Sequence, residues 1–595
     1  MAWMLHPRVF LTSHSSAMTL SPPTETTRRR PSARGKKPIF PNLDEVEAHA
    51  LEATLNEIFG IRSLRAGQRE VIESVLNGSD TLAIMPTGAG KSLCYQLPSL
   101  RMAGTTVVVS PLISLMRDQV SKLEEAGVAA AEVNSTLGVR REAEVLAQIE
   151  AAEHDFVFTT PERLADPAFI ETLKRNQVDL FVIDEAHCIS QWGHDFRPAY
   201  LHLAAAIEAL GDPVVLALTA TATATVIEDI GRQLKRPELN IVNTGIYREN
   251  LHYRVIQTGD EEAKLGEILG IVRSSRGSGI VYGATIKSVE EIHAALEAAG
   301  ESAACYHGQL GAKERGANQE AFMRGDVRIM VATNAFGMGI DKGDIRFVVH
   351  HHIPANLEAY YQESGRAGRD GESADCILLY HYKDKRLQQF FLARHYPSVD
   401  DLERVLEAIK GLAAESAVDA ETVGTLLQEM PGGKLQVALR LLQDAGNLVQ
   451  DENLHFRMTA TPGSRRAFAE IVAAYEKKAD HDREALERMV FYAHTGFCRW
   501  RVLLEYFGEE APWEQCGGCD NCLHPPEQQL TDVAAPAPVE SVPEERDISL
   551  EPGILVTVPK FGEGQVVSCA GDQVTIIFPD STERKFLRDY VSPAH

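Results

Sequence analysis

TLAIMPTGAGKS, residues 81–92, is the stretch whose reading decides the fold. A short apolar run leads into a turn carrying Gly88 and Gly90, and then into Lys91 and Ser92 at the head of a helical pattern. The glycines let the backbone wrap closely around phosphate, Lys91 can reach β and γ phosphates, and the Ser92 hydroxyl can coordinate Mg²⁺. Thr87 and Ala89 complete the candidate loop. The strict pattern has glycine where Met85 stands. An ordinary glycine turn would have no need of Lys-Ser opening a helix.

Outward from this loop, apolar runs alternate with helical patterns from about residue 45 to 385. TLAIM, TVVVS, DFVFTT, LFVID and VVLAL come first, then GIVYG, IMVAT and RFVVH. Such alternation predicts α/β architecture, with parallel sheets flanked by helices. The two groups meet between Tyr247 and Gly277, which predicts two lobes, 45–246 and 247–390. Leu402, Val405, Leu406 and Ile409 then recur at helical spacing. Two shorter helical patterns and the hairpin-like NLVQDENLHFRMTA follow, so 398–462 is predicted as a winged-helix-like domain.

The chain has 595 residues and is 44% hydrophobic, enough for several cores. It has no apolar stretch long enough to cross a membrane and no secretory leader, which predicts a cytoplasmic protein. A net charge of -25 argues against non-specific binding of nucleic acid by the whole surface, so any such site must be local. Residues 1–44 run against that trend, with Arg28, Arg29, Arg30, Arg34, Lys36 and Lys37 among Ser, Thr and Pro. They read as a disordered basic arm or a solvated leader.

LFVIDEAH places Asp184 and Glu185 at the end of an apolar strand. One carboxylate there can hold Mg²⁺ opposite Ser92, and its neighbour can position and deprotonate an attacking water. An isolated Asp-Glu is more often a helix cap; paired with Lys91 it reads as half of an active site. The stretch continues into Trp192, His194, Phe196 and Arg197. The aromatics can stack on unpaired bases and Arg197 can add phosphate or cation–π contact. Two plainer readings compete. His187, Cys188, His194 and Asp195 have no recognised ligand spacing, and Trp192 and Phe196 at i, i+4 would be core in a helix, which Gly193, Asp195 and Pro198 interrupt.

MPTGAGKS, DEAH, LTATAT (218–223) and YYQESGRAGRDG (360–371) resemble superfamily 2 helicase motifs. DEAHCISQWGHDFRPAY is similar to the signature of the RecQ family of ATP-dependent DNA helicases. LRAGQ and VATNAFGMGIDKGDIRFVVH extend the resemblance over residues 50–385. It implies two RecA-like lobes, ATP and Mg²⁺ as cofactors, and 3′ to 5′ translocation on single-stranded or forked DNA with unwinding, in repair or recombination. A translocase that remodels protein–DNA complexes and an ATP-regulated DNA-binding adaptor are the alternatives. Lys91, Glu185, Arg366 and Arg369 would be catalytic, Arg369 as the finger on the γ-phosphate. Arg65, Gln68, Thr87, Gly88, Ala89, Gly90, Ser92, Asp184 and Gln362 would bind or couple the nucleotide. Ile61 stands where the family often has an aromatic that stacks on adenine, leaving Gln68 to reach the base edge. Trp192, His194, Phe196 and Arg197 would sense the DNA strand.

Seventeen residues separate Cys498 from Cys516, and Cys519 and Cys522 follow at two-residue gaps. Four thiolates so spaced suit a closed, structural Zn²⁺ site, with His494 or His524 as substitutes should Cys498 be a buried helix residue. The spacing resembles the RecQ zinc module, expected over 463–524, but there zinc directly follows the motor and the winged helix comes after it. HPPEQQLTDVAAPAPVESVPEERD reads as a flexible linker, 525–550. Residues 551–595 alternate like short strands around glycine turns and predict a small β-barrel. It resembles the Tudor-like end of UvrD-type helicases, which implies a protein partner such as RNA polymerase.

Overall fold

The computed structural model describes residues 45–595 except 191, 194–196, 338–339, 413–417, 451–454, 460–464, 526–551, 559–561, 571–572, 580–581, 588–590 and 594–595. The basic arm, nearly all of the linker, and His194 and Phe196 therefore lie outside the described residues. The chain forms two compact units, 1–526 and 527–595.

All eight quoted apolar runs contain strands. In the first lobe seven parallel strands stand in the order Ala130–Val133, Phe156–Thr159, Thr105–Val109, Val178–Ile183, Val214–Thr219, Thr81–Ile84, Asn240–Asn243. Helices cover both faces, so a central strand such as VVLALT is buried along its whole length. Register does the rest. Ile84 pairs with Thr219 and Val109 with Ile183, so the loops after these strands open on one edge of the sheet. That edge, at the carboxyl ends, is where an open α/β sheet binds ligands.

The second lobe repeats the plan with six parallel strands in the order Ala303–Tyr306, Ile329–Ala332, Ser278–Tyr282, Ile345–His350, Ala374–Tyr380, Leu251–Gln257. Its last strand would be an open edge with unpaired backbone groups. The cysteine-bearing segment covers it. Trp500 Nε1 donates to the Leu251 carbonyl at 3.1 Å, and the Val255 N–H donates to Asp520 Oδ2 at 2.8 Å.

Between the second lobe and the cysteines lie the helices Val399–Leu412, Ala420–Leu426 and Gly432–Asp444 and an antiparallel pair, Leu448–Gln450 with Phe456–Met458. A bridge from Val418 to Phe456 ties the loop after the first helix to that pair, and Leu402, Val405, Ile409, Leu439 and Leu442 form the core. The described residues of the segment expected as a winged helix thus show three helices and an antiparallel strand pair. A 30-residue helix, Arg465–His494, then runs to the cysteines and packs against the helices Leu357–Ser364, Asp384–His395 and Val399–Leu412. No helix among the described residues is long and apolar enough to cross a membrane.

In the second unit the strands Leu555–Val558, Gly562–Ala570, Gln573–Ile577, Glu583–Leu587 and Ser592–Pro593 form an antiparallel sheet around Val556, Val558, Val566, Val574 and Ile576. Among the described residues no pairing joins Glu583–Leu587 to Ser592–Pro593. The expected barrel is thus seen as a five-stranded sheet.

Candidate active site and zinc centre

The loops at the strand ends enclose a cleft of about 490 Å³ lined from both lobes. The first lobe contributes Arg65, Thr87, Gly88, Gly90, Lys91, Ser92, Ser110, Asp184 and Glu185; the second contributes Asp341, Gln362, Arg366 and Arg369. Gly88 and Gly90 have φ of 86° and 79°, the left-handed region that glycine enters without penalty. At Gly90 a Cβ would also come within 2.5 Å of Gln68 Nε2. Gln68 is buried and donates to the carbonyls of Ala89 and Gly90, each at 3.0 Å. It is thus already engaged in holding the phosphate loop, together with Arg65, whose guanidinium donates to the Gly88 carbonyl. Ala89 packs against the apolar core beneath. Ile61 is exposed.

Burial pulls the Lys91 ammonium below its ordinary value, with Glu185 and Asp184 opposing. The same burial, reinforced by Glu185, pushes Asp184 up to about 7. Ser110 Oγ donates to Asp184 Oδ2 at 3.2 Å, and Tyr200 OH donates to the Asp184 carbonyl at 3.1 Å. Glu185 has φ 50°, sparsely populated for a residue with a side chain and typical of strained functional positions.

His187 links this acid pair to the neighbouring strand end. Its Nδ1 lies 3.0 Å from Thr219 Oγ1 and 3.3 Å from Glu185 Oε2. One ring N–H cannot serve both acceptors fully, so a shift at Glu185 alters the bond at Thr219. Beyond His187, Ser190 Oγ donates to Asp229 at 2.7 Å and accepts from the Trp192 N–H at 3.2 Å. The Trp192 indole meets His481 of the long helix edge-on, with centroids 5.4 Å apart. Arg197 returns to the first lobe, donating to the Pro111 carbonyl at 3.3 Å. Ser190 is thus tied to the helix Ala224–Gln233 and Arg197 to the turn after the strand Thr105–Val109, on either side of Trp192.

Arg369 crosses the cleft. A Cβ on Gly88 would lie 3.4 Å from Arg369 Cγ, so the two lobes touch here. Arg369 donates to Asp341 at 2.8 Å, and Asp341 stands 3.6 Å from Lys122 of the first lobe. Burial and the neighbouring Arg366 both weaken the hold of Arg369 on its proton. Arg248 fastens the Arg369 segment by donating to the carbonyls of Gly365, Ala367 and Gly368 at 2.6 to 2.8 Å. Asn250 adds a bond to Gly368, whose φ of 56° and close approach to Asn250 exclude a side chain. Sequence reasoning missed Arg248, Asn250, Ser110 and Lys122, none of which shows a spacing signal. Tyr200 lay within the quoted signature without a role.

The sulfurs of Cys498, Cys516, Cys519 and Cys522 converge, with separations of 3.4 Å (Cys519–Cys522), 3.9 Å (Cys516–Cys522) and 4.0 Å (Cys498–Cys519). Tetrahedral zinc with Zn–S bonds near 2.3 Å needs sulfurs about 3.8 Å apart, so the four fit the ion. Backbone N–H groups of Arg499, Cys516 and Gly518 donate to three of the sulfurs at 3.4 Å each, supporting thiolates. His494 packs on Tyr380 and stands outside this group. The fit is of a closed, structural site.

Family models match in three places: "DEAD/DEAH box helicase" over 65–230, "Helicase conserved C-terminal domain" over 261–371 and "RecQ zinc-binding" over 451–523. The chain is 38% identical over 476 residues to the ATP-dependent DNA helicase RecQ of Bacillus subtilis (strain 168), covering 80% of this chain and 67% of that protein. It is 37% identical over 465 residues to the probable ATP-dependent DNA helicase RecS of the same organism, covering 77% of this chain and 88% of that one. Among solved structures, the DUF1998 helicase MrfA bound to DNA aligns over 71% of this chain and 63% of that one, with 21% identity and a TM-score of 0.49. With both motor lobes, the acid pair and the four-cysteine zinc module in place, the chain belongs to the RecQ family of ATP-dependent DNA helicases.

Proposed function

We propose that the chain moves 3′ to 5′ along single-stranded DNA and separates strands ahead of it, one closure of the two lobes per ATP. The observation that carries this reading is that the cleft is completed from both sides: Arg369 lies against Gly88 while Lys91, Asp184 and Glu185 face it from the first lobe. Mg²⁺, held by Ser92 and Asp184, would supply neutralising charge on the β and γ phosphates. Lys91 binds those phosphates, Glu185 takes the proton of the attacking water, and Arg366 and Arg369 offset charge on the leaving group. Hydrolysis then needs closure, because Arg369 must exchange Asp341 for phosphate. Trp192 and Arg197, with the neighbouring His194 and Phe196, would report a bound strand through His187 to Glu185 and Thr219. The second unit is a docking module for a protein partner, and the enzyme works at the nucleoid.

Strand displacement on forked duplexes with single 3′ or 5′ tails tests this, with Lys91→Ala as the inactive control. Unwinding from the 3′ tail alone is expected. DNA-stimulated ATPase without displacement of either substrate would leave a translocase instead.

A further inference from the structure

One helix of the second lobe gathers large aromatic side chains that stay open to water. The helix Asp384–His395 starts just past the carboxyl end of the strand Ala374–Tyr380. Gln388, near its middle, donates to the Ile353 carbonyl at 2.6 Å, three residues beyond the strand Ile345–His350. The helix therefore crosses the carboxyl-end edge of the sheet. Tyr382 is 61% exposed, Phe390 46% and Phe391 38%. The Asp384 N–H donates to the His381 carbonyl and the Arg386 N–H to that of Lys383, which carries the helical turn back to Tyr382. Tyr382, Arg386 and Phe390 then follow at four-residue steps and share one face. Phe390 meets Phe391 with centroids 6.2 Å apart, and Phe391 borders a hollow of about 510 Å³. Gln362 and Arg366 line both this hollow and the nucleotide cleft, so the two adjoin.

Charge on this segment runs against the rest of the chain. Residues 382–395 carry four Lys and Arg and one Asp, within a chain of net charge -25. The one acid faces inward: the Asp384 side chain is 2% exposed and accepts from Lys264 Nζ at 2.7 and 2.9 Å. Lys385 pairs with Glu487 at 2.7 Å. Lys383 and Arg386 are exposed and, among the described residues, meet no carboxylate within ion-pair distance. Lys383 lies over the Tyr382 ring instead, with Nζ 5.7 Å from its centroid.

Cations set between open aromatic rings suit a strand that offers both phosphates and unpaired bases, the cations taking the one and the rings the other. A duplex keeps its base faces stacked inside. An apolar protein surface would bury Lys383 and Arg386 without acceptors.

We propose that Tyr382, Lys383, Arg386 and Phe390 form a binding stripe for single-stranded DNA on the second lobe, apart from Trp192 on the first. The proposal rests on the reading of the chain as a single-strand translocase. A strand on the stripe passes Phe391 to the hollow beside Arg366, which gives the second lobe its own hold. Closure of the lobes moves DNA only when each lobe grips it.

The test is binding of a labelled oligothymidylate to the full-length protein, followed by fluorescence anisotropy over a range of salt, with the matching duplex for comparison. Tyr382→Ala with Phe390→Ala should weaken single-strand binding roughly tenfold or more while duplex binding changes little. Lys383→Gln with Arg386→Gln should make log affinity fall less steeply with log salt, by about 1.4 in slope. An iodouracil-bearing strand should photocrosslink to the wild type within residues 382–395, mapped by mass spectrometry. Wild-type affinity in both double variants, an equal loss on duplex, or crosslinks confined to other segments would overturn the proposal and leave the translocase reading standing. A wild-type protein that holds no single strand at all would overturn both.

Discussion

Nucleotide binding should release a proton from Asp184, and the buried acid pair fixes the pH range in which it does so. Burial first, then the adjacent Glu185, raise this carboxyl to about 7 in the nucleotide-free protein. The folded value lies above the ordinary one, so this group's share of stability is full below about pH 4 and is lost as pH rises through 7. Mg²⁺ needs the carboxylate, so Mg²⁺–nucleotide must displace whatever proton is bound. At pH 6 about nine-tenths of the Asp184 side chains are protonated, and at pH 8 about one-tenth, so affinity should fall roughly tenfold from pH 8 to 6. Calorimetry of a non-hydrolysable ATP analogue with Mg²⁺, in buffers of different ionisation enthalpy, counts the protons. Asp184→Asn cannot titrate and cancels the ligand's own protons. The wild type should release nearly one more proton than the variant at pH 6 and almost none more at pH 8. Equal proton counts at pH 6 would refute the reasoning.

Arg369→Ala should lower kcat for ATP roughly a thousandfold with nucleotide affinity little changed, read by steady-state ATPase and analogue binding. Gly193→Ala would bring a Cβ within 2.4 Å of the His187 carbonyl, so the Trp192 loop must shift; DNA stimulation of the ATPase should drop while DNA-independent turnover persists. His481→Ala frees one edge of Trp192, and the DNA concentration giving half-maximal stimulation should fall. Cys516→Ser should release zinc and lower Tm in thermal denaturation, because the segment that the ion closes carries Asp520 and stands beside Trp500 on the Leu251–Gln257 edge.

The nucleotide loop and the acid pair were legible because their chemistry sits within a few residues of one strand end. Central strands were equally legible, since burial on both faces leaves continuous apolar runs. What escaped were edges. Asn240–Asn243 exposes three of its four residues and so does not read as an apolar run, and Ala303–Tyr306, mostly half-buried, has no β-branched residue to mark it as a strand. Leu251–Gln257 mixes polar and apolar residues because it is an edge strand, covered by the short helices Arg499–Tyr506 and Asp520–Leu523 from far along the chain. Arg248 was invisible for a related reason. Its three acceptors lie more than a hundred residues downstream, and they are backbone carbonyls that leave no mark in side-chain pattern.

The helices and strand pair that precede the zinc module are acidic, a poor match to a phosphate backbone. Residues 398–462 carry eleven Asp and Glu against five Lys and Arg, the wrong balance for contact with a DNA backbone. Its attachments point elsewhere. The long helix that follows reaches three places at once: His481 meets Trp192, Glu487 pairs with Lys385 at 2.7 Å, and the helix end delivers Cys498 to the zinc group. From that zinc-bearing segment Glu509 accepts the Ile246 N–H at 3.1 Å, in the short link between the two lobes. Gly245, with φ of 79°, gives that link its turn. A motion of one lobe against the other therefore strains the Glu509 contact, the zinc segment and the helix under Trp192 together. On that geometry residues 398–462 would act on the strand indirectly, by setting how the proposed DNA-sensing loop and the lobe hinge move in step.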